Sequence, residues 1–139
     1  MSADPLRGTE MELSPAPCIL IVDDQPDLRL LVRLTFEGHG YDVAEAPDGE
    51  AALTACAARA PDAVLLDVMM PGIDGYEVCR RLKADPRLGR ALVVLMTAGH
   101  QETERVRARE AGADLYVAKP FSPAQLLELV RSQLSLRLA

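Results

Sequence analysis

Several features are scarce in this 139-residue sequence, and each shortage excludes a class of protein. Cys18, Cys56 and Cys79 form an odd set without Cys-x-x-Cys spacing, which fits neither a disulfide framework nor a zinc site. No apolar run approaches the ~18 residues of a membrane-spanning helix. Lysine and arginine number 15 against 21 aspartate and glutamate residues, so the net charge of -6 has the wrong sign for binding a nucleic-acid backbone. We therefore expect a soluble protein with buried thiols and no direct nucleic-acid contact.

The first residues differ from the rest of the chain. Residues 1–15 are rich in Pro, Ser, Asp and Glu and have no sustained periodicity, so we predict a flexible N-terminal tail. They lack the basic region followed by an apolar region that marks a secretion signal, and we expect a cytoplasmic location. The remainder, residues 16–139, has the length of one domain with a single core.

Five short apolar segments have the length and composition of β-strands. They cover residues 18–23, 41–46, 62–67, 91–97 and 113–119, of which the second alternates only partly. Helical spacing of apolar residues appears between and after them. It is found at Leu28, Leu31, Val32 and Thr35, and again at Leu126, Val130 and Leu134. The predicted order is therefore a strand followed by a helix, repeated five times.

Continuous apolar strands that alternate with helices predict a five-stranded parallel sheet covered on both faces, a doubly wound three-layer α/β fold. In such sheets ligands bind beyond the carboxyl ends of the strands, where the winding direction reverses. Polar residues at those ends are therefore the candidates for function.

Four of the predicted strands end in, or are followed by, residues that carry chemistry. These are Asp23 and Asp24, Asp67, Thr97 and Lys119. Three neighbouring carboxylates repel one another unless a cation joins them, and an all-oxygen site suits Mg²⁺, with Mn²⁺ as a substitute. Asp67 ends an apolar strand and is placed to act as a nucleophile toward a phosphoryl group. The metal and Lys119 would neutralise the charge on that phosphoryl group.

Each of these residues also has an ordinary structural interpretation. Asp24 lies two residues before Pro26 and could simply cap the first helix, and Lys119 could be a solvated loop lysine. Asp67 and Thr97 are unremarkable when taken singly. Their occurrence together at successive strand ends is what favours a functional site.

Four segments resemble the signature segments of the receiver domains of two-component response regulators, in the same order, and cover nearly all of residues 18–134. They read ILIVDDQPDLR, LLDVMMPGIDGYEV, VVLMTAGH and GADLYVAKPFSPAQLLELV. The resemblance implies a flavodoxin-like strand order 2-1-3-4-5. It also implies that Asp23, Asp24 and Asp67 bind Mg²⁺ with the Met69 main-chain carbonyl, and that Asp67 is the phosphoacceptor.

The same resemblance implies how the remaining site residues act. Thr97 would bond to a phosphoryl oxygen, Lys119 would pair with it, Tyr116 would swing inward as Thr97 moves, and the bond to Pro120 would be cis. The chain departs from the family at three positions. Gln25 replaces a frequent third acidic residue, and Met69 and Gly99 occupy positions that in the family influence phosphoryl hydrolysis.

The expected function is that of a phosphorylation switch, a signalling domain whose only catalysis is its own phosphorylation and slow dephosphorylation. The expected phosphoryl donors are a sensor histidine kinase, a histidine phosphotransfer protein or a small acyl phosphate. Output is expected through helix 4, strand 5 and helix 5, where Leu129 and Leu136 form an outward strip that Leu115 extends, toward a protein partner or a second copy.

Other functions fit less well. A flavodoxin-type cofactor site needs a phosphate-cradling loop after the first strand, where this chain has the acidic DDQPD. A P-loop enzyme needs GxxxxGK[ST], which is absent. A receiver that binds partners without being phosphorylated remains open.

Overall fold

The computed structural model describes residues 16–99 and 101–138, so the predicted tail of residues 1–15 lies outside the described part. Five strands alternate with five helices, as predicted. In chain order they are β1 (Cys18–Val22), α1 (Pro26–Glu37), β2 (Asp42–Ala46), α2 (Gly49–Ala58), β3 (Ala63–Asp67), α3 (Gly75–Ala84), β4 (Leu92–Thr97), α4 (Glu102–Glu110), β5 (Leu115–Ala118) and α5 (Pro123–Leu138).

The strands form one parallel sheet in the order β2-β1-β3-β4-β5, which confirms the predicted doubly wound fold. Every residue of β1, β3 and β4 is buried, because helices cover both faces of the central strands. The register pairs Asp67 with Met96 and Thr97 with Ala118, so the strand ends that carry the polar residues meet at one edge.

Two separate cores lie on the two faces of the sheet. Side chains of α2, α3 and α4 fill one core, which includes Cys56, Tyr76 and Leu82. Side chains of α1 and α5 fill the other, which includes Phe36 and Val130. The three cysteines are free and buried, as predicted.

Local sequence signals set the helix ends. Pro26 occupies the first turn of α1, whose N-cap is Gln25. Gly38 follows the last turn, and Gly40 adopts φ +89°, a left-handed conformation that glycine tolerates best. Asp48 caps α2 by accepting a hydrogen bond from the Ala51 N–H at 2.8 Å, and Asp74 caps α3 in the same way.

The inward face of α1 differs in part from the prediction. Val32 and Phe36 are fully buried and Leu28 is half-buried, but Leu31 is 51% exposed. Val32 and Phe36 lie one turn apart on the face of α1 that packs on the sheet. Leu31 lies outside this face and is therefore directed toward solvent. In α5 the predicted inward residues Leu126, Val130 and Leu134 are buried, while Leu136 is exposed.

Within residues 16–99 and 101–138, none of the helices combines the length and apolar character that a bilayer crossing requires.

Candidate functional site

The buried polar side chains are concentrated at the carboxyl edge of the sheet. Among the residues that the structure describes, the polar or charged side chains in the buried class are Asp23, Asp67 and Thr97, at 0%, 3% and 1% exposure. They lie at or just beyond the ends of β1, β3 and β4. Burying a carboxylate is costly unless it is paired or binds a cation, so this clustering marks a site rather than a structural element.

Three carboxylates converge here, as the sequence predicted. Asp23, Asp24 and Asp67 each offer one oxygen, and these oxygens all lie within 4.8 Å of one another. Asp24 is exposed and Gln25 occupies the N-cap position of α1, so the geometry does not assign Asp24 to helix capping. An all-oxygen set of this size and spacing fits a hard divalent cation.

Lys119 supplies the positive charge at the site. Its Nζ lies 2.7 Å from Asp23 Oδ2 and 3.4 Å from Asp67 Oδ2, so its shorter contact is with the aspartate after β1. The Lys119–Pro120 peptide bond is cis, in agreement with the expectation. One ammonium group against three carboxylates leaves the site with net negative charge, which favours binding of a further cation.

The pKa shifts reflect this imbalance. Burial is the largest influence on Asp67 and raises its pKa; the Asp23 charge adds to the rise, and the Met69 N–H and Lys119 oppose it. Burial by itself lowers the pKa of Lys119, but the bonds and charges of Asp23 and Asp67 raise it overall. Lys119 is therefore a fixed ammonium group, and Asp67 is a carboxylate that additional positive charge would stabilise.

Arg29, which sequence reasoning missed, holds the main chain at Asp23, and Arg33 shares its carboxylate partner. Arg29, one turn into α1, donates from Nη1 to the Asp23 carbonyl at 2.6 Å and from Nε to Glu45 Oε1 at 2.9 Å. Arg33 donates to the other Glu45 oxygen at 3.0 Å. The only signal in the sequence was Glu45, a second acidic residue within the short strand β2.

The loop after Asp67 is fixed by close packing. The Met69 N–H donates to Asp67 Oδ1 at 3.1 Å, which orients the carboxylate. Gly75 begins α3 against the strand end, where an added Cβ would lie 2.8 Å from Val68 Cα, so only glycine fits without displacement. The Asp67 carboxylate is therefore held by its own loop, while the start of α3 packs against the main chain of Asp67 and Val68.

Thr97 has a defined partner in this conformation. Its hydroxyl donates to the Gly99 carbonyl at 2.8 Å, and the Val117 carbonyl lies at 3.4 Å. Tyr116, on the neighbouring β5, is half-buried, and the Arg105 guanidinium lies over its ring at 6.0 Å. Bonding of Thr97 to a phosphoryl oxygen would require this hydroxyl to leave Gly99.

A solvent-open cavity of about 260 Å³ gives access to the site. Ala98 and six residues that the sequence analysis singled out line this cavity. These six are Asp24, Gln25, Asp67, Met69, Thr97 and Lys119. Tyr116 does not line it and instead contributes to grooves on the α4 and α5 sides.

Fold and site together define a doubly wound α/β protein with an acidic cluster at the carboxyl edge of its sheet, and comparison with known proteins identifies the family. A family profile described as response regulator receiver domain matches residues 19–131. The chain belongs to this family.

Curated relatives include DNA-binding response regulators. The regulator MtrA of Mycolicibacterium smegmatis is 44% identical over 116 residues, which are 84% of this chain and 50% of that protein. The phosphate regulon regulator PhoB of Rhizobium meliloti is 40% identical over 118 residues, 85% of this chain and 52% of that protein. The chain spans about half the length of these relatives.

Solved structures share the whole fold. A CheY-like receiver domain protein from Methanospirillum hungatei aligns with TM-score 0.82 at 25% identity, covering 88% of this chain and 96% of that one. The receiver domain of a signal transduction histidine kinase from Syntrophus aciditrophicus aligns with TM-score 0.80 at 35% identity, covering 86% and 91%. The protein is therefore a receiver domain of the two-component response regulator type.

Proposed function

We propose that Asp67 is the phosphoacceptor of this receiver domain. Its carboxylate oxygen attacks the phosphorus of the donor while the bond from phosphorus to the donor's leaving atom breaks, which gives an acyl phosphate. A sensor histidine kinase, a histidine phosphotransfer protein or a small acyl phosphate would supply the group. The observation that carries this proposal is a buried Asp67 carboxylate beside Lys119, within an acidic cluster open to solvent.

Asp23, Asp24 and Asp67 would hold Mg²⁺, for which Mn²⁺ can substitute, and the Met69 main-chain carbonyl would add a ligand. The convergence of three carboxylate oxygens supports this assignment. When bound, the metal neutralises charge on the transferring group. Lys119, already held by Asp23, would pair with the phosphoryl oxygens as the second positive charge.

The same residues would convert phosphorylation into a change of surface. Thr97 would exchange its bond to the Gly99 carbonyl for one to the phosphoryl group, and Tyr116 would turn inward. Gly99 lies just before α4, so release of its carbonyl frees the start of that helix. Beyond its own phosphorylation and slow dephosphorylation, we propose no catalytic activity.

Output is proposed to pass through α4, β5 and α5 to a protein partner or a second copy. Leu136 is 71% exposed, and half-buried Leu129 shares a groove of about 460 Å³ with Tyr116. Leu115 is also half-buried but packs against the α1 and α5 core, so it extends the strip only in part. This chain would act without direct nucleic-acid contact, in the cytoplasm.

Labelling with acetyl phosphate tests the phosphoacceptor. In Mg²⁺, mass spectrometry should find one phosphoryl group on Asp67, and chelation of the metal should abolish it. Asp67→Asn should lose labelling, whereas Asp42→Asn, a change to an exposed strand residue remote from the cavity, should keep it. Undiminished acyl phosphate in Asp67→Asn would refute the assignment.

Substitutions on α5 test the output surface. Leu129→Asp and Leu136→Asp should weaken self-association or partner capture by the phosphorylated protein, with little dependence on salt. Sedimentation and pull-down measure both. Unchanged association and unchanged capture in both variants would exclude this surface.

A further inference from the structure

One sulfur atom in the described part of the chain differs from the rest in its exposure. Among residues 16–99 and 101–138 there are three cysteines and three methionines. Cys18, Cys56 and Cys79 are 6%, 1% and 0% exposed, and Met70 and Met96 are 9% and 0% exposed. Met69 is 70% exposed.

Met69 also lies next to Asp67, the proposed phosphoacceptor. It lies two residues after Asp67, and its main-chain N–H donates to Asp67 Oδ1 at 3.1 Å. It lines the cavity of about 260 Å³ together with Asp67, Thr97 and Lys119. Any chemical change of this thioether therefore occurs at the entrance through which phosphoryl groups and water reach Asp67.

We propose that hydroperoxides oxidise Met69 and that this oxidation shortens the lifetime of the phosphorylated state. The thioether sulfur attacks one oxygen of hydrogen peroxide, and the O–O bond breaks. The displaced hydroxide takes the proton from the new S–OH group and leaves as water, so that the sulfoxide remains. Sulfur is oxidised by two electrons to the sulfoxide and the peroxide is reduced. Methionine sulfoxide reductases reverse this change, so the proposed oxidation is reversible.

The effect on Asp67 follows from the polarity of the product. A thioether is a weak hydrogen-bond acceptor and holds water poorly, while a sulfoxide oxygen is a strong acceptor. Placed at the cavity entrance, it retains a water molecule beside the acyl phosphate. A hydrogen bond of about 1 kcal/mol to the hydrolytic water corresponds to about fivefold faster dephosphorylation.

The cysteines do not compete for the oxidant. Burial raises the pKa of Cys56 and of Cys79 to about 11, so neither is a thiolate at neutral pH, and neither is accessible. Met70, the next residue in the chain, packs into the core on the α2, α3 and α4 side. It gives an internal control of the same chemistry at almost the same place.

Oxidation mapping tests the site independently of phosphorylation. The intact chain is treated with limiting hydrogen peroxide, and peptide mass spectrometry measures sulfoxide at each methionine. Met69 should oxidise at least roughly tenfold faster than Met70 or Met96, in keeping with its exposure. Equal rates at Met69 and Met70 would overturn the proposal.

Decay of the acyl phosphate tests the consequence, which rests on the proposed function. Protein labelled with acetyl phosphate is followed by phosphate-affinity electrophoresis before peroxide, after peroxide, and after sulfoxide reductase. Decay should accelerate about fivefold on oxidation, return on reduction, and be insensitive to peroxide in Met69→Leu. Equal decay of oxidised and untreated protein would refute the regulation, whereas failure of untreated protein to label at all would refute the proposed function itself.

Discussion

Arg29 and Glu45 show how charged residues outside the cavity support it. Arg29 joins the Asp23 carbonyl to Glu45, and Arg33 holds the second Glu45 oxygen. The Arg33 hydrogen bond is the largest influence on Glu45 and lowers its pKa, and Arg29 lowers it further. A carboxylate with a lowered native pKa stabilises the folded state only while it is ionised.

Glu45→Gln should therefore cost about 1 kcal/mol of unfolding free energy at pH 7. The contribution is complete above the unfolded-chain pKa of about 4.3 and is lost as pH falls through the lower folded value. Urea unfolding at pH 7, 5 and 3.5 should show a constant difference from the parent at the first two and a smaller one at the third. Glu37→Gln, which removes only the exposed Arg33 pair, should cost less. A difference that grows toward acid pH would contradict this account.

Helix α4 is the element with the least apolar anchorage to the sheet. Among its described side chains, Ala108 is the buried one. The Arg107 guanidinium lies 4.1 Å from the centre of the Tyr76 ring on α3, a cation–π contact that joins the two helices. The loop before α4 carries Gly99, the partner of Thr97, so this helix is attached weakly where the proposed switch acts.

Arg107→Gln should loosen α4 without disturbing α3. Loss of a contact of about 1 kcal/mol predicts roughly fivefold faster hydrogen exchange of α4 amides, with α3 unchanged. Arg109→Gln on the same helix is the matched control and should leave exchange as it was. Equal acceleration in both variants would assign the effect to helix propensity rather than to Tyr76.

Strands were the elements that the sequence predicted best. The continuous apolar runs that end at Asp67 and Thr97 leave few alternative assignments, because strands buried on both faces require apolar residues throughout. The inward face of α1 was less certain because that helix is apolar on several sides, and Leu31, assigned to the core, is exposed. Periodicity does not choose between two apolar faces when both are present.

The candidate site was predictable in its membership and not in its contacts. Strand ends in a parallel sheet necessarily meet, which brought Asp23, Asp67, Thr97 and Lys119 together from the sequence alone. The sequence does not specify that Lys119 lies nearer Asp23, because this depends on side-chain packing. Arg29 was missed because its bond to the Asp23 main-chain carbonyl involves no side chain at Asp23, and its carboxylate partner Glu45 lies 16 residues away in the sequence.

At the edge of the sheet opposite the site, one network of charged side chains joins several elements of the molecule. Lys83 Nζ lies 2.8 Å from Asp114 Oδ2 and also donates to the Gly89 and Ala91 carbonyls. Arg137 lies 2.8 Å from Asp114 Oδ1, and the Val93 N–H donates to Asp114. Asp114 thus joins α3, β4 and α5 just before β5 begins.

Asp114→Ala should cost about 2 kcal/mol of unfolding free energy, because the Val93 N–H loses its acceptor and partly buried Lys83 loses its carboxylate. Asp42→Ala removes the exposed pair with Arg59 and should cost less than about 0.5 kcal/mol. Denaturant unfolding of both variants at pH 7 compares a network with a single surface pair. Similar losses in the two would show that Asp114 acts as an isolated surface charge.

The buried cysteines make the opening of one face of the sheet observable at separate positions. Cys56 and Cys79 are packed on the α2 and α3 side, and Cys18 lies at the start of β1. A thiol reagent in native buffer can label each cysteine only when the structure around it opens. Labelling rates therefore measure opening frequencies at three positions without an introduced probe. Because Cys79 also donates to the Ala111 carbonyl just after α4, its rate reports when α3 and the end of α4 separate.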